Sequence, residues 1–90
     1  MKKAIITVVG KDSVGIIAGI CTYLADKNVN ILDISQTIVG GYFNMMMITD
    51  VTNSNRDFLS MQEELAELGE KLGTVVKMQD EAIFDSMHRI

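Results

Sequence analysis

The chain has no proline, one cysteine and one histidine in 90 residues. Without proline, nothing rigidly kinks an element or stiffens a linker. Cys21 alone allows no disulfide framework and no pair of thiolate ligands. Cys21 and His88 together cannot complete a zinc cage, so no metal or cofactor is expected. His88 stands near the end of the chain, and no serine–histidine–carboxylate or cysteine–histidine set assembles around it. Carboxylates are plentiful, but no spacing pairs Asp12, Asp33 and Asp50 as acid and base. A non-enzyme is expected.

Long apolar runs are also missing. None approaches the roughly 18 residues of a membrane span. The start, Met1-Lys2-Lys3-Ala4-Ile5-Ile6, is followed by Gly10-Lys11-Asp12 too soon for a signal peptide. A cytoplasmic protein with no membrane partner is expected. The net charge is −4, a poor balance for general binding to nucleic acid or anionic lipid. What is present is a core: 48% of residues are apolar and 22% charged, the composition of an ordered chain. The length suits a single domain over residues 1–90.

Lys3 to Val9 is β-branched and almost continuously apolar, as in a strand buried on both faces. A helix follows, capped by Asp12 or Ser13 and running to about Lys27. Val14, Ile17, Cys21 and Leu24 form its apolar stripe, with Cys21 a small buried hydrophobe. Gly19 suggests close approach of another backbone, and Asn28 a left-handed stop. Asn30–Val39 and Tyr42–Val51 read as two strands joined by Gly40-Gly41, a hairpin signal. That register puts Leu32, Ile34, Gln36, Ile38, Phe43, Met45 and Met47 on one face, under the helices. Asp33, Ser35, Thr37, Tyr42, Asn44, Met46 and Ile48 share the other. The polar side of the second strand marks it as an edge.

Ser54 with Asp57 resembles a capping box for a helix to about Leu72. Its stripe is Phe58, Met61, Leu65, Leu68 and Leu72, its acidic face is solvated, and Gly73 closes it. Thr74–Gln79 alternates as a half-exposed strand. Ile83, Phe84, Met87 and Ile90 return to helical spacing, and this tail is expected to dock on the sheet edge or across a protomer boundary, with His88 and Arg89 near the last carbonyls. The order βαββαβ is the ferredoxin-like split motif: an α+β fold with a four-stranded antiparallel sheet, two helices on one face, and a short C-terminal helix.

Several chemistries use this topology. Copper chaperones need a cysteine pair in the first loop. RNA-binding domains need aromatics on the central strands and a basic surface, and only Tyr42 stands at the start of the third strand. Acylphosphatases need an arginine in the first loop, and the arginines here are Arg56 and Arg89. The first loop itself remains. Gly10-Lys11-Asp12-Ser13-Val14-Gly15 is a strand-to-helix turn, which aims backbone N–H groups at whatever lies above it. One reading is a capped turn and nothing more. The other is a ligand loop in which Gly15 admits a small molecule to the backbone, the helix dipole favours a carboxylate, and Asp12 and Ser13 hold an ammonium or hydroxyl group.

The run Val8-Val9-Gly10-Lys11-Asp12-Ser13-Val14-Gly15-Ile16-Ile17, with Asn28-Val29-Asn30-Ile31-Leu32-Asp33-Ile34 after it, resembles the ACT domain, over the whole chain. The family's first loop commonly reads Asp-x-x-Gly-Ile or Asp-x-x-Gly-Leu, and its second strand begins Asn-Ile. The tail Ile83-Phe84-Asp85-Ser86-Met87-His88-Arg89-Ile90 looks like the ending of small stand-alone ACT proteins. A more distant similarity is to the tandem-ACT repressor of the glycine cleavage system. The resemblance implies regulation: an amino acid bound between protomers, by the first loop of one and strand two of its neighbour, in a homodimer or higher oligomer that modulates a partner protein. Carried over by position, it nominates Asp12, Ser13, Val14, Gly15, Ile16, Asn30 and Ile31. Val14 stands where many signalling relatives have proline. An interaction module with no metabolite ligand is the alternative.

Overall fold

The computed structural model describes residues 1–88. Its elements are β1 (Lys3–Lys11), α1 (Ile16–Asp26), β2 (Asn30–Val39), β3 (Tyr42–Asp50), α2 (Phe58–Lys71), β4 (Thr74–Asp80) and α3 (Glu81–Met87). The sheet is antiparallel, in the order β2-β3-β1-β4. This is the ferredoxin-like arrangement with a short C-terminal helix. Arg89 and Ile90, assigned above to that helix, lie outside the described residues. No helix among them is long and apolar enough to cross a membrane.

Alternation sorts β1 into two sides. Ala4, Ile6 and Val8 join the core beneath the helices, with Phe43, Met45 and Met47 of β3 and Val76 and Met78 of β4. Unlike a strand covered on both faces, β1 shows Val9 half exposed on the open side. Ile5 is buried but stands outside that core. It pairs with Gln79, whose side-chain amide donates to the Met87 sulfur at 3.5 Å. The tail helix α3 therefore folds back over the open face near Ile5. Ile83 and Met87 remain more than half exposed, while Phe84 stacks on His88 with ring centroids 4.0 Å apart. His88 Nδ1 lies 2.8 Å from the Phe84 carbonyl oxygen.

Expectations about the two helix starts and the second strand are also corrected. First, α1 begins at Ile16, and its N-cap is Gly15; neither Asp12 nor Ser13 caps it. With that start, the buried stripe is Ile16, Ile20 and Leu24. Val14 falls in the loop, fully exposed, and Ile17 turns outward. An α1 that is apolar nearly all round leaves its phase open to sequence reading. Second, the α2 cap is Asp57, which accepts from the Ser60 amide at 2.9 Å, while the Ser54 hydroxyl donates to the Arg56 carbonyl. Third, a β-bulge interrupts β2 between Ile31 and Asp33. The helices lie over β3, β1 and β4, and β2 projects past them. Leu32, Ile34 and Ile38, expected under the helices, are 41%, 43% and 58% exposed.

The turns follow their residue chemistry. Gly40 and Gly41 both hold positive φ, as a two-residue hairpin turn requires, and Val39 faces Tyr42 as the hairpin register demands. Asn28 ends α1 at φ 58, and Gly73 follows α2 at φ 72. Gly19 meets the Leu72 side chain, not a backbone: a Cβ there would lie 3.2 Å from Leu72 Cδ1.

Candidate functional site

The β1–α1 loop stands open to solvent from Lys11 to Gly15. One backbone bond anchors it: the Asp12 amide donates to the Gly41 carbonyl at 2.9 Å. Gly15 then adopts φ 94, a left-handed conformation that L side chains resist. It passes the chain into α1, where its carbonyl accepts from the Gly19 amide. Among the described residues no side chain caps this end, and no acidic residue stands in the first turn. The first-turn amides, which have no intrahelical acceptor, are thus left to solvent or to a ligand. Among the described residues nothing lies within 4 Å of where a Gly15 Cβ would sit.

The nominated residues do not converge within one chain. Asp12, Ser13, Val14 and Gly15 are exposed. Ile16 is 2% exposed, so its side chain belongs to the core and only its amide can face a ligand. Asn30 and Ile31 lie at the far end of the sheet. Asn30 faces Asp50, which faces Lys3, whereas the loop leaves β1 at Lys11 beside Tyr42. At about 3.4 Å per residue, the length of β1 separates the two groups by roughly 27 Å. Ile31 is half-buried and packs on the core; Asn30 is exposed.

At that far end is a cavity of about 230 Å³ that sequence reading did not anticipate. Asn28, Asn30, Asp50 and Asn53 line it with Ala25 and Val29. The Asn28 side chain donates to the Asn53 carbonyl at 2.8 Å, and the Thr52 amide donates to Asp50 Oδ1 at 2.9 Å. The hydroxyl and amide of Thr52 hold the Asp50 carboxyl below its usual range. The asparagines in Asn28-Val29-Asn30 and Asn53-Ser54-Asn55 were the available signal, but they read as turn residues. A second indentation, about 430 Å³, lies between α1 and α2 over Gly19, Tyr23 and Leu68. Beside it, the Tyr23 hydroxyl donates to Glu64 at 2.6 Å, and Arg56 pairs with the same carboxylate at 2.8 Å. The Tyr23–Glu64 bond joins the two helices, and Arg56, from the connection before α2, braces the same carboxylate. No group of three or more histidine, cysteine, aspartate or glutamate side chains placed to hold a metal is found among the described residues.

The two sheet edges differ. On β4, the Gln62 side chain donates to the Met78 carbonyl at 2.7 Å, and Lys77 adds a charge. On β2, ten residues from Asn30 to Val39 run with Asp33 as the one charged residue, and among the described residues no neighbouring strand covers the outer side.

Residues 2–79 match the family profile described as the ACT domain. A UPF0237 protein of Bifidobacterium longum is 60% identical over 90 residues, covering 100% of both chains. The solved structure of an ACT domain protein from Streptococcus pneumoniae superposes with a TM-score of 0.81 at 41% identity, over 97% of this chain and 98% of that one. A solved protein assigned as a glycine cleavage system transcriptional repressor shares the fold, with a TM-score of 0.76 at 24% identity over 88% of this chain and 45% of its own. With a matching profile over most of its length and a relative this similar end to end, the chain belongs to the ACT domain family.

Proposed function

We propose that this protein is a cytoplasmic, single-domain regulator that binds an amino acid between two copies of itself and modulates a partner protein, without catalysing a reaction. The observation that carries the reading is the uncapped start of α1. Exposed amides, the positive end of the helix dipole and a left-handed glycine with open space above it suit an α-carboxylate. Asp12 and Ser13 stand close in sequence for an ammonium or hydroxyl group. A glycine cleavage repressor among the fold relatives agrees with amino acid sensing.

The separation of the loop from Asn30 supports a site shared by two copies. The uncovered β2 edge is the natural place for a second copy, since an unpaired edge is a template for pairing. Antiparallel pairing of β2 about a two-fold axis lays the Asn30 end of one copy beside the hairpin end of the other. The loop is tied to that hairpin end through Gly41. In this arrangement Asp12, Ser13, Val14, Gly15 and the Ile16 amide of one copy face Asn30 and Ile31 of the next.

Isothermal titration of the full chain against the twenty amino acids tests the reading. Saturable binding by at least one of them, lost in Gly15→Ala, is the expected result. No binding by any amino acid, with the oligomer intact, favours a second reading: an oligomerisation module with no metabolite. The exposed β2 edge by itself is compatible with that alternative.

A further inference from the structure

The helix layer carries the whole of the chain's charge imbalance. Asp26 in α1 and Glu63, Glu64, Glu67 and Glu70 in α2 stand against Lys71 alone, a balance of −4. The full chain is also −4, so everything outside the two helices sums to zero. Between these helices runs the open groove of about 430 Å³. Its α1 wall is Gly19, Thr22, Tyr23 and Asp26, and α2 gives the same spacing from Glu64 to Lys71. That spacing, i, i+3, i+4, i+7, is one face of a helix. The Tyr23 hydroxyl meets Glu64 at one end and Gly19 meets Leu72 at the other, so the helices run antiparallel. The groove is about two turns, or roughly 10 Å, long. Glycine at position 19 leaves its floor open. The surface exposed inside is mostly apolar: the Tyr23 ring, Leu68 and the carbon stems of the charged residues. Glu64 is already held by Tyr23 and Arg56, and Asp26 by Lys27. Glu63, Glu67 and Glu70 form no ion pair among the described residues.

We infer that this groove docks a basic amphipathic helix of the partner protein. The inference rests on the partner half of the reading above and on no ligand site. An apolar floor between two helices suits the apolar stripe of a third. An acidic rim suits lysine or arginine at the flanking positions, with Glu63, Glu67 and Glu70 free to meet them. Other occupants fit less well. An extended segment finds no sheet edge here, so its backbone groups gain no partners from the protein, whereas a helix satisfies its own. Nucleic acid and anionic membrane are repelled by this sign of charge. A second copy docking helix to helix would bring the same −4 layer, and its remaining surface is neutral in sum.

The test titrates synthetic peptides of about 15 residues, long enough to form a helix, into the isotope-labelled full chain and follows its amide chemical shifts. One peptide has leucine at i, i+3, i+4 and i+7 and lysine elsewhere. A second has alanine in place of leucine, and a third glutamate in place of lysine. The leucine–lysine peptide is expected to saturate, with the largest shifts in residues 19–26 and 64–71. It should bind about tenfold or more tightly than either of the others. Glu67→Lys should weaken it about threefold or more and Lys71→Glu should tighten it. Asp85→Lys, the same change of charge placed on α3, should stay within about twofold of wild type. Largest shifts on β2 or on the open sheet face, or no saturable binding, overturn the inference. So does an alanine–lysine peptide that binds as tightly, because charge alone then accounts for it, and so does equal weakening by Asp85→Lys and Glu67→Lys. Should a variant not fold, the peptide comparison and the shift map on the wild type decide. A chain that binds an amino acid but not this peptide keeps the regulator reading and loses the groove. A chain that binds the peptide but no amino acid keeps the groove and favours the interaction module.

Discussion

The amide of Asp12 donates to the carbonyl of Gly41 across 2.9 Å, so the first loop is fastened to the β2–β3 hairpin by backbone alone. The Asp12 side chain is left without a capping duty, since Gly15 is the N-cap and no side chain bonds that end. Replacing a true capping aspartate with alanine costs about 1 kcal/mol. For Asp12→Ala the expected change in unfolding free energy is within about 0.5 kcal/mol, the range of unremarkable surface substitutions. On the proposed reading, affinity for an amino acid should fall. Urea melts beside titrations separate the two, and a stability loss of a full cap with affinity intact would return Asp12 to a structural role.

Gly15→Ala tests the same loop from the backbone side. A new Cβ meets nothing within 4 Å, so no clash with the protein is involved. The cost comes from φ 94 and should be about 1–2 kcal/mol. A ligand carboxylate on the first-turn amides would encounter that Cβ directly. Thermal stabilisation by the ligand should therefore vanish in this variant, although the domain still folds. Ligand stabilisation equal to wild type would move the binding site away from the loop.

The element order, the Gly40-Gly41 hairpin, the edge position of β2 and the stops at Asn28 and Gly73 were all legible, because each depends on local residue chemistry. The capping residues were less so. Asp12 and Ser13 have the chemistry of a cap, but the left-handed turn at Gly15 postpones the helix by a few residues and turns Val14 into solvent. The β2 face was misread for a different reason. Alternation correctly put Ile34 and Ile38 on the helix side, but it cannot say how far the helices reach, and both stay exposed. The loop half of the candidate site could be nominated from the glycine and dipole argument. The cavity half could not, because Asn28 and Asn53 come together only when β3 delivers its following loop to the end of α1.

Gly10 is a case where packing gives a residue a role that sequence could not assign. It faces Thr74 across the β1–β4 ladder. A Cβ there would lie 2.6 Å from the Gly73 carbonyl oxygen and 2.8 Å from Thr74 Cα. Backbone cannot swing aside as a side-chain tip can, so Gly10→Ala should destabilise by about 2–3 kcal/mol, at the upper end of overpacking costs. Denaturant unfolding checks this. A loss below about 0.5 kcal/mol would mean that the β1–β4 crossing is looser than its geometry implies.

The Tyr23–Glu64–Arg56 bonds give the helical layer a pH dependence with a definite sign. The Tyr23 hydrogen bond, then the Arg56 bond, hold the Glu64 carboxyl below its usual range. The Ser60 amide does the same for Asp57, and Thr52 for Asp50. Burial first, then Glu64, push the Tyr23 phenol well up, so it stays a neutral donor throughout the acidic range. Carboxyls with lowered folded pKa values stabilise the fold above their unfolded values, and that contribution is lost as pH falls through the folded ones. The melting temperature should be steady from pH 7 to about 5 and decline below about 4.5, near the unfolded carboxyl values. Glu64→Gln should melt lower at pH 7 and show a shallower acid decline. An acid decline identical to wild type would remove Glu64 from this linkage.

The sharpest test of assembly lies in the contrast between the two edges. The β4 edge is occupied by Gln62 on the Met78 carbonyl, whereas β2 offers a ten-residue edge with exposed Ile34 and Ile38 beside it. If two copies pair through β2, charge introduced at those positions recurs in the other copy across the two-fold axis. Like charges brought together oppose association, and lysine is itself a common guard of exposed edges. Ile34→Lys and Ile38→Lys are therefore expected to sediment as folded monomers at concentrations where the wild type is a dimer, in the range of tens of micromolar that suits weak homodimers. Their unfolding should shift little at high dilution, where both proteins are monomeric, because neither side chain is buried within the chain. Tyr42→Lys, on the open sheet face, serves as the control and should leave the dimer intact. Dissociation by Tyr42→Lys, with Ile34→Lys and Ile38→Lys still dimeric, would place the interface on the open face and leave the loop of one copy far from Asn30 of the other.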